Sequence, residues 1–132
     1  MWDDLGKLVL RLTVGVLLLF HGTHKVLGGI DGIKQMVSAH GMPDVLAYGV
    51  YLGEVVGPVL VILGLFSRIG GLLIGANMLV AILLAGMASI AAINPVGGYA
   101  LELECLYLFC GVSVALLGAG SYSVGGKNGR WN

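Results

Sequence analysis

Residues 69–93 read IGGLLIGANMLVAILLAGMASIAAI, twenty-five positions with no charged side chain and one amide, Asn77. A bilayer-spanning helix needs about 20 mostly apolar residues, so this stretch alone is long enough to cross. Three neighbouring stretches share the character. Residues 5–26 enclose Lys7, Arg11 and His21; residues 45–66 enclose a single charge, Glu54; residues 101–119 open with Glu102 and Glu104. The runs are too continuous for the alternation of barrel strands. Backbone groups in hydrocarbon must then be satisfied within helices. The expected fold is all-α, a transmembrane up-down four-helix bundle forming one domain over residues 1–132.

Composition excludes the competing classes. The 132 residues are 58% hydrophobic and 11% charged, with a mean hydropathy of +0.97. About a quarter of a soluble chain is charged. An ordinary soluble enzyme, a nucleic-acid binder and a disordered segment are all ruled out. The 23 glycines follow no Gly-X-Y period, which removes collagen. Seven basic and seven acidic residues cancel, so no net field selects a charged partner.

The connections are unequal. Little more than Ser67-Arg68 separates the second and third spans, and residues 94–99, Asn-Pro-Val-Gly-Gly-Tyr, read as a turn. The long connection, residues 27–44, holds a candidate interfacial helix at 32–40, closed by Gly41 and Pro43. Lys7, Arg11, Arg68, Lys127 and Arg130 lie on the side of both termini, against Lys25 and Lys34 on the other. That asymmetry predicts two cytoplasmic termini. The N-terminus opens with acidic residues and lacks a small-x-small cleavage site, so it is not expected to be a cleaved signal.

Glycines recur at four-residue spacing: Gly49, Gly53 and Gly57 in the second span, Gly71 and Gly75 in the third. Such ridges let helices approach closely in lipid. They are expected to pack the bundle and could also serve a homodimer. Cys105 and Cys110 are five apart, about 140° on a helix, and cannot bridge. They read as small buried hydrophobes.

Charge in hydrocarbon costs roughly 2.5–3.5 kcal/mol per residue on insertion scales, so each intramembrane polar residue needs a reason. Glu54 lies about 13 Å into its span. Pro58, four residues on, has no N–H and cannot bond the Glu54 carbonyl. Tyr51 shares the face and could donate its hydroxyl. One reading of Glu54 is a site for a polar ligand group or a proton; the other is a structural pairing with Arg11 or a histidine of the first helix. Contact with Arg11 or His21 would make it an ionised acceptor, and their absence a neutral donor. Arg11, Gly15, Leu18, Gly22 and Lys25 fall within about 40° of one line on the helical wheel, a stripe expected to face the bundle. His21, His24, Lys25, Asn94, Glu102 and Glu104 lie towards the outer face. Together they suggest a polar cavity that opens outward and narrows on Glu54. Ligand-binding or proton-carrying candidates are thus Glu54, His21, Arg11, Glu102, Lys25, Tyr51 and Asn77. No metal site is expected, since His21 and His24 find no clear third ligand.

The run Leu8-Val-Leu-Arg-Leu12, then Gly15, then Phe20-His-Gly-Thr-His-Lys25, resembles the start of DoxX family membrane proteins. Gly53-Glu54, Gly64-Leu-Phe-Ser-Arg68, Glu102 before Leu106-Tyr107, and the tail Gly118-Ala-Gly-Ser-Tyr-Ser123 extend the likeness over the whole chain. Ser121 stands where the family usually has arginine, and Gly125 where it has aspartate, which puts a contact of the tail in doubt. The resemblance implies a multi-pass protein of the bacterial inner membrane. Some relatives resemble the membrane subunit of thiosulfate:quinone oxidoreductase, and others associate with redox-stress enzymes. By that resemblance the chain would be a quinone-linked subunit needing a redox partner subunit, since it carries no flavin, haem or iron–sulfur motif. A binder or transporter of a small amphiphile or lipid, and a membrane scaffold, stay open beside it.

Overall fold

The computed structural model describes residues 1–132 and is all-α, with one isolated bridge between Ile93 and Tyr99. Helix α1 spans Trp2–Gly28 and α2 spans Asp31–Ala39. The next column, Asp44–Leu63, begins as a 3-10 helix at Asp44–Gly49 and passes through a π-helical turn at Leu52–Val56. It ends as the regular helix α3, Gly57–Leu63. Helix α4, Ser67–Ala81, continues through a second π-turn at Ile82–Gly86 and a 3-10 turn at Met87–Ser89. Helix α5 is Glu102–Leu117.

Three columns are long and apolar enough to cross a membrane: Trp2–Gly28, Asp44–Leu63 and Ser67–Ser89. Their outward faces are hydrocarbon, with Val9 and Leu72 each about 60% exposed. Surfaces this apolar belong against lipid rather than water. Helix α5 has 16 residues, about 24 Å of rise, and is shorter than the span expected over 101–119. The short helix expected at 32–40 forms one residue earlier, as α2.

Small residues set the packing. A Cβ on Gly71 would lie 2.5 Å from the Gly111 carbonyl, and one on Gly111 would lie 2.9 Å from the Gly71 carbonyl. Gly57 and Gly70 face each other in the same way between α3 and α4. The four-residue ridge of Gly53 and Gly57 is therefore spent inside the chain against α4, and only Gly49 stands clear of neighbours. Val14, Leu18, Val61, Ile74, Met78, Tyr107 and Val114 fill the centre between these seams.

The α3–α4 connection is Gly64-Leu65-Phe66 rather than the expected Ser67-Arg68. Gly64 takes the left-handed conformation at φ 71° and ends the helix. Ser67 and Arg68 form the first turn of α4, and the Arg68 guanidinium donates to the carbonyls of Ala115 and Leu116. The third column stops at Ser89, short of 93. Beyond it Asn94 Oδ1 accepts from the N–H groups of Val96 and Gly98 and folds the chain into a turn.

Helix ends leave backbone groups without partners, and the tail, residues 118–132, supplies them. Val124 N–H donates to Leu63 O and Gly125 N–H to Gly64 O, both at 2.9 Å. Asn132 Oδ1 accepts from Ser67 N–H, and Trp131 O accepts from Arg68 N–H. Ser121 donates through its N–H and its hydroxyl to the Asp4 carboxylate. Serine at this position keeps a contact with α1.

Candidate functional site

The last turn of α1 carries Lys25, and the first π-turn carries Glu54. Lys25 Nζ lies 2.6 Å from both carboxylate oxygens of Glu54. Asn77 on α4 donates through Nδ2 to Glu54 Oε2 at 3.2 Å. Glu54 is 4% exposed, while a quarter of the Lys25 side chain reaches open space. A carboxylate this buried needs a partner, and the charge-assisted bonds from Lys25 and Asn77 supply it.

Backbone geometry brings these groups together. Pro58 cannot donate to the Glu54 carbonyl. The chain answers with a π-turn in which Gly57 N–H reaches back to Leu52 O. Gly22 of α1 lies directly on the Glu54 peptide: a Cβ there would be 1.9 Å from its carbonyl oxygen. That approach sets the level at which α1 meets the π-turn. Lys25, one turn beyond Gly22 on the same face, then falls beside the carboxylate. Tyr51 Oη donates to the Lys25 carbonyl at 3.3 Å and ties the end of α1 to the same column.

The trio lies at the edge of a cavity of about 610 Å³. Its walls come from α2, the 3-10 and π segments of the second column, α4, and the second π-turn. Met36, Met42, Leu46, Leu73, Val80 and Leu84 are among them. The apolar face of α2, with Val37 against Ala47, covers the end of the cavity nearest the loops. Lys34, also on α2, sits 4.7 Å above the Tyr48 ring, and the Tyr48 side chain holds its ammonium above the ordinary lysine value.

The other expected residues lie elsewhere. Arg11 is fully buried and donates to Val61 O and Tyr122 O, with no carboxylate beside it. It is fourteen residues from Lys25 in sequence, about 21 Å along the helix. The His21 ring meets Tyr107 edge-on, centroids 6.0 Å apart. His24 is exposed. Glu102 is exposed and pairs with Asn94 Nδ2 at 3.5 Å. It lines a separate shallow groove of about 450 Å³ on α5, with Tyr99, Cys105, Phe109 and Cys110. The partner expected for Glu54, Arg11 or a histidine, is thus replaced by Lys25. The expected polar funnel is an apolar cavity with one polar corner.

Sequence reasoning missed the walls. Ile33, Met36 and Val37 repeat at i, i+3, i+4 in α2, an apolar face that needed something to cover. The first π-turn is marked in the sequence only by Pro58, and the second left no local signature. π-Turns inside α-helices are frequent at functional sites, and both line this one cavity.

Comparison with known proteins fits this membrane architecture. The chain is 32% identical over 116 residues to a Bacillus subtilis (strain 168) protein named "Putative oxidoreductase CatD", an overlap covering 88% of this chain and 81% of that protein. No solved structure matches it. The DoxX family model matches residues 6–87. The protein is a membrane protein in contact with the lipid bilayer, and it belongs to the DoxX family.

Proposed function

We propose that the protein is a quinone-linked, redox-associated subunit of the bacterial inner membrane. In this reading α5 is the fourth span of an up-down bundle, residues 1–132 form one unit, and both termini are cytoplasmic. The basic-residue count supports that orientation. The contact of the tail with Asp4 and Arg11 gathers both termini at one end, so that whichever side holds one holds the other.

The observation that carries the reading is a neutral polar corner in an apolar cavity. Lys25 and Glu54 cancel in charge, so the cavity favours a neutral guest over a phosphate headgroup. The donor count points the same way. An ammonium has three N–H groups and a carboxamide two. Lys25 donates two to Glu54, and Asn77 donates one. Each keeps an N–H for an acceptor oxygen. A quinone ring is neutral, flat and apolar apart from its two carbonyl acceptors. The cavity volume lies within the range of small-molecule sites, about 300–1,000 Å³. Lys25 and Asn77 would hold a ring carbonyl, and Glu54 would orient both donors. A bound quinone supplies a two-electron, two-proton acceptor. The electrons must come from a partner subunit. The name of the Bacillus relative, an oxidoreductase, supports a redox setting.

The test is equilibrium binding of decyl-ubiquinone and a short-tailed menaquinone to protein in lipid nanodiscs. Wild type is expected to bind saturably. Glu54→Gln keeps shape and hydrogen bonding but removes the charge that holds Lys25. It should fold normally and bind at least about tenfold more weakly, the scale of one charge-assisted hydrogen bond. No quinone binding, with a phospholipid in the organic extract of the pure protein, would make the cavity a lipid site instead.

A further inference from the structure

Resting on that reading of the cavity, we infer that its guest enters and leaves sideways, through a portal between the second column and α4 whose sill is Gly49 and Ala76. The apolar tail of the guest lies across this sill in the hydrocarbon of the bilayer, and only the headgroup is enclosed.

Three observations place the opening. The loop side is largely covered: Ile30, Val37 and Ala47 are each at most 5% exposed and pack α2 down onto the 3-10 segment, with Tyr51 and Leu84 against them, and the one lining residue of the loop that is exposed, Met42, is apolar. On the flank, several residues that line the cavity also face outward. Leu46 and Leu52 on the second column and Val80 on α4 are each about half exposed. Gly49 and Ala76 are exposed and line the cavity as well. A wall that is at once inner and outer surface is the rim of an opening.

The chemistry of the rim names what passes. Leu46, Gly49, Leu52, Ala76 and Val80 carry no polar side-chain atom. The charged lining residues, Lys25 and Glu54, are bound to each other. Water and ions gain nothing at such a mouth, whereas a hydrocarbon chain loses nothing by staying there. The aliphatic columns around the rim are those that face lipid. The occupant is therefore the tail of a bilayer-borne, neutral, single-chain amphiphile. Gly49 and Ala76 are the two smallest rim residues, one on each column. A Cβ on Gly49 would meet no atom within 4 Å, so a side chain there can grow into the opening without disturbing the packing.

Gly49→Phe and Ala76→Phe test the sill, with Leu79→Phe as control. Leu79 is exposed on the same helix but does not line the cavity. Binding of decyl-ubiquinone is compared with that of the tail-less ring duroquinone in nanodiscs. Each sill variant should weaken the tailed ligand about tenfold, the scale of a few displaced methylene contacts. It should leave the tail-less ring and the melting temperature nearly unchanged, and the control should bind both as wild type does. Equal loss for both ligands, or no loss for the tailed one, overturns the portal. A second readout needs no ligand. A nitroxide on Ala76→Cys, with Cys105 and Cys110 replaced by alanine, should collide with dissolved oxygen far more than with a water-soluble nickel chelate. Dominant nickel collisions would mean an aqueous mouth and overturn the inference. If wild type binds neither quinone, the proposed function falls, and the nitroxide still decides whether the cavity opens to lipid.

Discussion

Two basic residues share one face of α1, and the protein uses them in opposite ways. Arg11 is fully enclosed, and its guanidinium donates to two backbone carbonyls, Val61 O and Tyr122 O. Lys25 is only partly enclosed, is neutralised by Glu54, and borders a cavity. A planar guanidinium with five fixed donors suits a junction where separate segments each present a carbonyl. An ammonium on a flexible stem suits a corner where one N–H must stay free. Burial of a charge in a membrane helix is therefore no sign of function by itself. What its partners leave unoccupied is the better guide.

Breaking the Arg11 end should have the largest effect. Arg11→Leu leaves the Val61 and Tyr122 carbonyls without their donor in a dry junction. The expected cost is about 3 kcal/mol, the sum for two buried groups left unsatisfied. It should appear as a lowered melting temperature in detergent and as faster tryptic cleavage at Lys127 and Arg130. Quinone affinity of the fraction still folded should stay near wild type. Unchanged cleavage would show that the tail is held by its other bonds alone.

Gly22→Ala strikes the contact that sets the level of Lys25. Its new methyl would lie 1.9 Å from the Glu54 carbonyl oxygen, backbone against backbone, so α1 must move away. Overpacking of this kind costs about 1–3 kcal/mol. Both stability and ligand affinity should fall together. Gly49→Ala, with open space around it, should change stability by less than about 0.5 kcal/mol.

The smallest effects sharpen the contrast within the cavity. Asn77→Ala removes one hydrogen bond to Glu54, about 1 kcal/mol, and should weaken quinone binding several-fold. Glu102→Gln should leave binding unchanged, because Glu102 lies in the separate groove on α5. A larger loss from Glu102→Gln than from Asn77→Ala would move the site to that groove.

Helical periodicity made much of this legible. The stripe Arg11, Gly15, Leu18, Gly22, Lys25 turns inward as its 3.6-residue spacing requires: four of these residues are buried, and Lys25 is partly so. Glu54 and Asn77 stood out because a polar group in an apolar run must find a partner. The identity of that partner was not legible. A helical wheel gives the face of a residue but not its height against the next helix. Height here is set by Gly22 on the Glu54 carbonyl and by a π-turn that inserts an extra residue. The long connection, 27–44, left the register between the two columns free. The tail was equally opaque. Many of its bonds run between backbone groups, from Leu63, Gly64 and Arg68 to residues 124, 125 and 131, and side-chain patterns say little about such bonds.

The bond from Arg11 to Tyr122 spans 111 residues, and this gives the protein a history as well as a shape. Chains emerge from the ribosome at about 5–20 residues per second, N-terminus first, so on the order of ten seconds separates the two partners. Through that interval α1 holds a guanidinium that the finished fold buries. Helices α3, α4 and α5 are all made before its second acceptor exists. Arg11 can settle into its final place only when the glycine-rich tail arrives and closes the end of the protein. Assembly is thus checked by a segment made long after α1, and a chain stalled before Tyr122 lacks the second acceptor for the Arg11 charge.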